Sequence, residues 1–264
     1  MGIVNVTPDS FFDGGLHASS AAALAHARQL VAEGADVIDV GGESTRPGSL
    51  PVDAATERAR VVPVIAALRA ETDLPISVDT TKAEVAAAAL AVGADMVNDV
   101  SAGRFDDAML SLVAERGAAI VLMHMQGVPA TMQDAPTYGD VVAEVAAFLA
   151  ARAAAARAAG IAAERIWIDP GIGFGKRREH NLALLAGLER LVGLGYPVVV
   201  GASRKGFLGS RSGEPVGERL APSLAAAVLA AAAGDRAVRV HDVAPTRAAL
   251  AIADPVARTG RLQG

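Results

Sequence analysis

Short apolar runs recur eight times along the chain, and each gives way to a cluster of polar residues. The runs are Ile3-Val4, Val37-Ile38, Ile76-Ser77-Val78, Met96-Val97, Ala119-Ile120-Val121-Leu122, Ile166-Trp167-Ile168, Val198-Val199-Val200 and Val238. Between them lie stretches rich in Ala, Leu, Glu and Arg, with capping residues at their starts and glycines at their ends. These predict helices over Ala21–Glu33 (capped by Ser19 or Ser20), Asp53 to about Glu71, and Lys82–Val92 (capped by Thr81). A fourth runs from Asp106 or Asp107 to Gly117, and the rest over Tyr138–Ala159, Arg178–Leu194, Gly217–Ala233 and Pro245–Ala257. Strand, polar tip and helix, repeated eight times, predict an α/β fold: a (β/α)8 TIM barrel, one domain over residues 1–264. In such a barrel the C-terminal strand ends form a single mouth, so the polar tips converge there.

The tips carry residues that packing alone does not call for. Asp79, Asn98, Asp169 and Lys205 end strands three, four, six and seven. Two carboxylates, an amide and an ammonium suit a flat heterocycle that presents both donors and acceptors, since a carboxylate accepts two N–H bonds from a guanidine-like ring edge. Any one of them alone reads best as a buried polar residue satisfied by backbone; four at four strand ends do not. Asn5, Arg239 and His241 form a second set on strands one and eight, which become neighbours when the barrel closes. Arg239 offers a planar fork to an anion, and His241, two residues on, shares its side of the strand. His124 lacks such support and reads as structural. Three loops exceed what a barrel needs: Thr7–Ser19, Gly41–Pro51 and Gln126–Thr137. Their glycines make them candidates for lids over the mouth.

Composition narrows the class further. The hydrophobic share of 52% is enough for a large core, and aromatics at 3% leave Ala, Val, Leu and Ile to fill it. A net charge of −5 gives no basic footprint, so nucleic acid is not expected as a partner. The absence of cysteine excludes disulfides, thiolate catalysis and cysteine-based zinc sites. No apolar run approaches the roughly 20 residues that span a bilayer, so a cytoplasmic protein is expected. There are only three lysines, Lys82, Lys176 and Lys205, and each falls just beyond a predicted strand. Gly171-Ile172-Gly173-Phe174-Gly175 lacks the full spacing of a dinucleotide loop.

Five longer motifs are more specific: Asn5-Val6-Thr7-Pro8-Asp9-Ser10-Phe11, Gly42-Glu43-Ser44-Thr45-Arg46-Pro47-Gly48, Asp169 to Lys176, Ser203-Arg204-Lys205 and Arg239-Val240-His241-Asp242. Together with Met123-His124-Met125-Gln126-Gly127, they resemble the dihydropteroate synthase family in content and order. That family joins 6-hydroxymethyl-7,8-dihydropterin diphosphate to 4-aminobenzoate and releases pyrophosphate. The resemblance implies that Asp79, Asn98, Asp169 and Lys205 hold the pterin, with Met123 packed beside it. It implies that Asn5, Arg239 and His241 hold the diphosphate, with Asn5 also near Mg²⁺. Asp13, Thr45, Arg46 and Pro47 would close over the reacting centre, and Phe11, Phe174 and Pro47 would flank the 4-aminobenzoate ring. A homodimer is implied as well. Two positions depart from the family pattern, Phe12 where a small Ser is usual and Gly206 where Ser or a basic residue is common. Two other readings remain open from the residues: a pterin-dependent methyltransferase domain, which would have little use for Arg46 or the Arg239/His241 pair, and a paralogue that binds pterin without turning it over.

Overall fold

In the computed structural model, residues 1–6, 15–45, 48–209, 219–234 and 236–261 are described. The eight predicted strands are present: β1 (Gly2–Asn5), β2 (Ile38–Gly41), β3 (Ile76–Asp79), β4 (Met96–Asp99), β5 (Ala119–Met123), β6 (Ile166–Asp169), β7 (Val199–Val200) and β8 (Ala237–Val238). β1 to β6 pair in parallel in chain order, and β7 pairs in parallel with β8. Two bridges join these sheets into a ring. Ile168 bridges Val198 at one seam; Gly2 bridges Val240 at the other, where the Ile3 N–H also donates to the Val240 carbonyl at 3.0 Å. The barrel therefore closes in the order the sequence predicts.

Strand residues sort by parity, because successive side chains point to opposite faces. Val4, Val40, Val78, Val97, Ile120, Leu122, Ile168 and Val200 belong to the large cluster shared with the helices. Met96, Val121, Trp167 and Val199 form a separate small cluster with Met1, Ala119 and Ala237, which plugs the barrel axis. The plug fills the lower part of the axis and leaves the upper part to polar residues.

The helices are α1 (Gly15–Ala32), α2 (Ala54–Arg69), α3 (Ala83–Ala91), α4 (Met109–Arg116), α5 (Val141–Ala158), α6 (Arg178–Ala186), α7 (Leu188–Val192), α8 (Leu220–Ala233) and α9 (Val243–Arg261). Asp53 and Asp140 cap α2 and α5 by accepting the Thr56 and Ala143 N–H groups at 2.8 and 2.9 Å. Gly117 ends α4 in the left-handed region, as its position suggests.

Three details correct the sequence reading. α1 starts at Gly15, so Ser19 and Ser20 lie inside it and not at its cap; no proline or glycine between Leu16 and Ser20 stops the helix from extending back. Thr81 does not cap α3: Thr80 Oγ1 accepts from Lys82 N at 3.2 Å, and Asp106 Oδ2 reaches across to Ala83 N at 2.8 Å. The single helix expected over Arg178–Leu194 breaks at Gly187, where a Cβ would stand 2.8 Å from both methyls of Val142, so glycine lets the turn press against α5.

Candidate active site

Strand register sets the polar tips in rows. Asn5 lies opposite Gly41, Gly41 opposite Asp79, and Asp79 opposite Asn98, while Met123 lies opposite Asp169. Asp79, Asn98 and Asp169 are buried, with 8%, 5% and 5% of their surface exposed. Three of the four residues proposed from sequence to meet a heterocycle are thus drawn into the barrel mouth. Lys205 joins them from beyond β7: its Nζ donates to the Ile172 carbonyl and stands 4.5 Å from the centre of the Phe174 ring. Phe174 in turn packs on a buried cluster of Val100, Met123, Met125 and Met132. Met123 and Phe174 therefore make one apolar wall of the mouth, and the acids make the other.

Arg239 reaches across the barrel to those acids. Its Nε donates to Asp39 Oδ2 and its Nη2 to Asp79 Oδ2, both at 2.6 Å. The second set expected from sequence is accordingly split in this structure, with the Arg239 side chain turned to the acids and His241 engaged with Ser203. His241 Nδ1 lies 3.1 Å from Ser203 Oγ, which also accepts the His241 N–H at 3.2 Å. Asn5 is half-buried at the β1 tip. Arg204 and Asp242 pair through two bonds of 2.9 and 2.5 Å and brace the loop that presents Lys205.

Burial governs the charges here. It pushes Asp79 up to about 7 against the pull of Arg239, and it raises Asp169 against the pull of Lys205. Burial also lowers Lys205 to about 8, although Asp169 opposes the shift. Burial alone would lower Arg239, but Asp39 and Asp79 outweigh it and hold the guanidinium above its ordinary value. The mouth thus gathers an acid and an ammonium both shifted by burial, as is common at functional sites.

The loop after β6 is held by a lysine. Lys176 is buried; its Nζ lies 2.9 Å from His124 Nδ1 and donates to the carbonyls of Gly171 and Phe174 at 3.0 Å each. Burial and the neighbouring Lys176 push His124 down to about 3, and burial also lowers Lys176 to about 7, so the neutral ring accepts an N–H from the lysine. His124 also meets Phe148 edge-on at 4.9 Å. It is a structural histidine, as its isolation in the sequence suggests. Gly171 has a φ of 66°, and a Cβ there would fall 1.8 Å from the His124 carbonyl oxygen. Gly171→Ala is expected to cost at least about 1 kcal/mol of stability, a fall of roughly 2–4 °C or more in thermal midpoint for a domain of this size. Parental thermal unfolding in that variant would count against the fit described.

The loop after β2 is bolted at its root. Lys82 Nζ donates to Glu43 and, at 2.6 Å, to Glu57 Oε2, and Arg60 donates to the Gly42 carbonyl at 2.8 Å. Thr45, further along, lines a small cleft with Glu43, Glu57, Asp79 and Thr80. Phe11, Phe12, Asp13, Arg46 and Pro47 lie outside the described residues. Gly206 begins a short turn of 3₁₀ helix, is exposed, and has open space where a side chain would stand.

Three charged residues at or beneath the mouth, Asp39, Glu57 and Lys82, were given no role by the sequence reading, which noted Lys82 only for its place beyond a strand. Asp39 lies mid-strand, two residues before the tip of β2, and polar–apolar alternation could have placed it inside the barrel. Lys82 and Glu57 are separated by 25 positions and no local pattern links them.

Comparison with known proteins meets this geometry. The profile of the family described as pterin binding enzyme matches residues 1–241. The chain is 46% identical over 259 residues to dihydropteroate synthase of Synechocystis sp., spanning 98% of this chain and 90% of the relative. It is 49% identical over 258 residues to that of Neisseria meningitidis, spanning 96% and 90%. Among solved structures, Xanthomonas albilineans dihydropteroate synthase with 4-aminobenzoic acid superposes with a TM-score of 0.91 at 53% identity, covering 97% of this chain and 92% of that one. The same enzyme in complex with 7,8-dihydropteroate gives 0.87 at 50% identity, with the same coverage.

Proposed function

The chain belongs to the dihydropteroate synthase family of pterin binding enzymes, and on that premise we propose how its residues carry out the family's reaction and what the reaction needs. The reaction joins a dihydropterin, activated as its diphosphate, to the amine of 4-aminobenzoate. The carrying observation is the convergence of Asp79, Asn98 and Asp169 in the mouth, with Lys205 beside the Phe174 ring. Asp169 and Asp79 accept from the guanidine-like edge of the pterin, Asn98 and Lys205 meet its oxygen and nitrogen acceptors, and Met123 packs on its face. Arg239 and His241 hold the diphosphate and take up the charge that grows on departing pyrophosphate. The electron-rich dihydropterin supports positive charge at its exocyclic carbon, so the bond to oxygen breaks ahead of attack by the arylamine, which then loses a proton. Phe174, with Phe11 and Pro47, flanks the 4-aminobenzoate ring, and Asp13, Thr45 and Arg46 close the centre against water.

Mg²⁺ is part of this proposal. Among the described residues no group of three or more His, Cys, Asp or Glu could cage a metal. That donor set fits an ion held chiefly by substrate phosphates and water with one protein oxygen, the usual habit of Mg²⁺, and Asn5 supplies such an oxygen at the β1 tip. Bound there, Mg²⁺ would neutralise charge on the leaving group. A cytoplasmic homodimer is also proposed. No helix among the described residues is long and apolar enough to cross a membrane. Leu229 on α8 and Ile252 and Val256 on α9 are 57%, 71% and 66% exposed, and these two helices pack together, so their outer faces offer an apolar surface for a second copy.

Release of pyrophosphate on mixing the dihydropterin diphosphate, 4-aminobenzoate and Mg²⁺ tests the proposal. Release that needs all three supports it. Pterin binding without release would favour the non-catalytic paralogue instead.

A further inference from the structure

Asp39 is fully buried on the inner face of β2, opposite Ile3 and Ser77 and one layer beneath the mouth. Its Oδ2 accepts from Arg239 Nε at 2.6 Å and from Asn98 Nδ2 at 3.1 Å. Two residues of the mouth are therefore fixed by one carboxylate that does not reach the mouth itself. Arg239 spends its other bond on Asp79, through Nη2 at 2.6 Å. Asp79 is also the acid that the proposed reading gives to the pterin. A ring N–H brought to Asp79 must share its carboxylate with the guanidinium already on Oδ2, and two donors on one carboxylate each weaken the other's hold.

We propose that Arg239 changes partners during binding and that Asp39 is the positioning residue that makes this possible. The pterin takes Asp79 and releases Nη2; Asp39 keeps Nε, and the freed part of the guanidinium turns to the diphosphate. The constant partner is needed because a buried guanidinium stripped of every carboxylate is strongly disfavoured. Asp39 has the acceptor capacity for this. Its Oδ1 is sealed from solvent and takes no partner among the described residues, and neither does the Oγ of Ser77, its neighbour in register. Arg239 Nη1 likewise has no partner among the described residues and is available to an anion.

Coupling follows by linkage. A ligand that frees Arg239 from Asp79 helps an anion to bind, and an anion that draws Arg239 away helps the pterin by the same factor. This inference rests on the pterin and diphosphate sites proposed above. The test is calorimetry with 6-hydroxymethylpterin, which carries no diphosphate and cannot react, titrated with and without saturating pyrophosphate and Mg²⁺. Pyrophosphate is expected to tighten pterin binding about tenfold, within the range usual for coupled sites. In Arg239→Met the pterin should bind with the same affinity whether or not pyrophosphate is present. In Asp39→Asn, which keeps the side-chain shape, pyrophosphate alone should bind more weakly and the coupling should shrink, while circular dichroism reports an intact fold. Equal pterin affinity with and without pyrophosphate in the parent protein would overturn the exchange. Unchanged pyrophosphate binding and unchanged coupling in Asp39→Asn would overturn the role of Asp39. Failure of the pterin to bind under any condition would instead refute the site reading on which both depend.

Discussion

Asp169→Asn is expected to weaken pterin binding by on the order of 2–4 kcal/mol, roughly 30-fold or more in dissociation constant. One carboxylate oxygen is already committed: Oδ1 accepts the Gly171 N–H at 2.6 Å and holds the start of the glycine loop. The other, Oδ2, faces the space beside Gly201 that Lys205 Nζ also approaches. An asparagine can keep the Gly171 bond through its carbonyl oxygen. It then presents an amide N–H where the acid offered a charged acceptor, so donor meets donor at the pterin edge. Lys205 also loses the carboxylate that offsets the effect of burial on it. Volume is unchanged, so the fold should persist, with the larger effect in pterin affinity and any fall in thermal midpoint reporting the partner lost by Lys205. Calorimetry with 6-hydroxymethylpterin decides, and unchanged affinity in the variant would remove Asp169 from the site.

Much of this arrangement was legible in the sequence, for a definite reason. A parallel barrel strand of four residues is apolar on its helix-facing side and polar at its C-terminal end, so Ile76-Ser77-Val78-Asp79 announces both the strand and the tip. The same logic located Asn98 and Asp169, because register in a closed barrel places strand ends side by side. It could not give the direction of a long side chain. Arg239 was placed correctly at the tip of β8 beside β1, yet its guanidinium crosses the axis to Asp39 and Asp79, a choice set by burial and by two acids on other strands. Lys176 shows the converse. Its motif was plain, but its role as a hub for three carbonyls and His124 depends on how the glycine loop folds back on β5. Helix starts failed where tertiary partners replaced local caps, as at α3, where Asp106 supplies what Thr81 was expected to give.

Lys82→Met is expected to lower unfolding free energy by about 3–5 kcal/mol, the usual result of stranding a buried charge, out of a total of roughly 5–15 for a natural domain. The stranded group is Glu57. Its side chain is 1% exposed, its Oε2 depends on Lys82 Nζ at 2.6 Å, and its Oε1 has no partner among the described residues. Glu43 shares the same ammonium, so its loss also leaves two carboxylates facing each other. Methionine keeps the length and apolar stem of lysine, which confines the change to charge. Adding Glu57→Gln should restore much of the loss, because a neutral amide needs no counter-ion. The double variant then isolates what Lys82 does for the site. Glu43 begins the loop that carries Thr45, and it also accepts the Val52 N–H at 3.2 Å where that loop rejoins α2. With stability recovered but the root unbolted, the Michaelis constant for 4-aminobenzoate should rise more than the pterin dissociation constant, since Asp169 and Asn98 stand on other strands and only Asp79 shares the cleft with Glu43 and Glu57. Denaturant unfolding of the single variant and steady-state kinetics of the double one separate the two effects. A stability change within about 1 kcal/mol in Lys82→Met would mean that Glu57 finds another partner, and parental kinetics in the double variant would confine Lys82 to holding the fold.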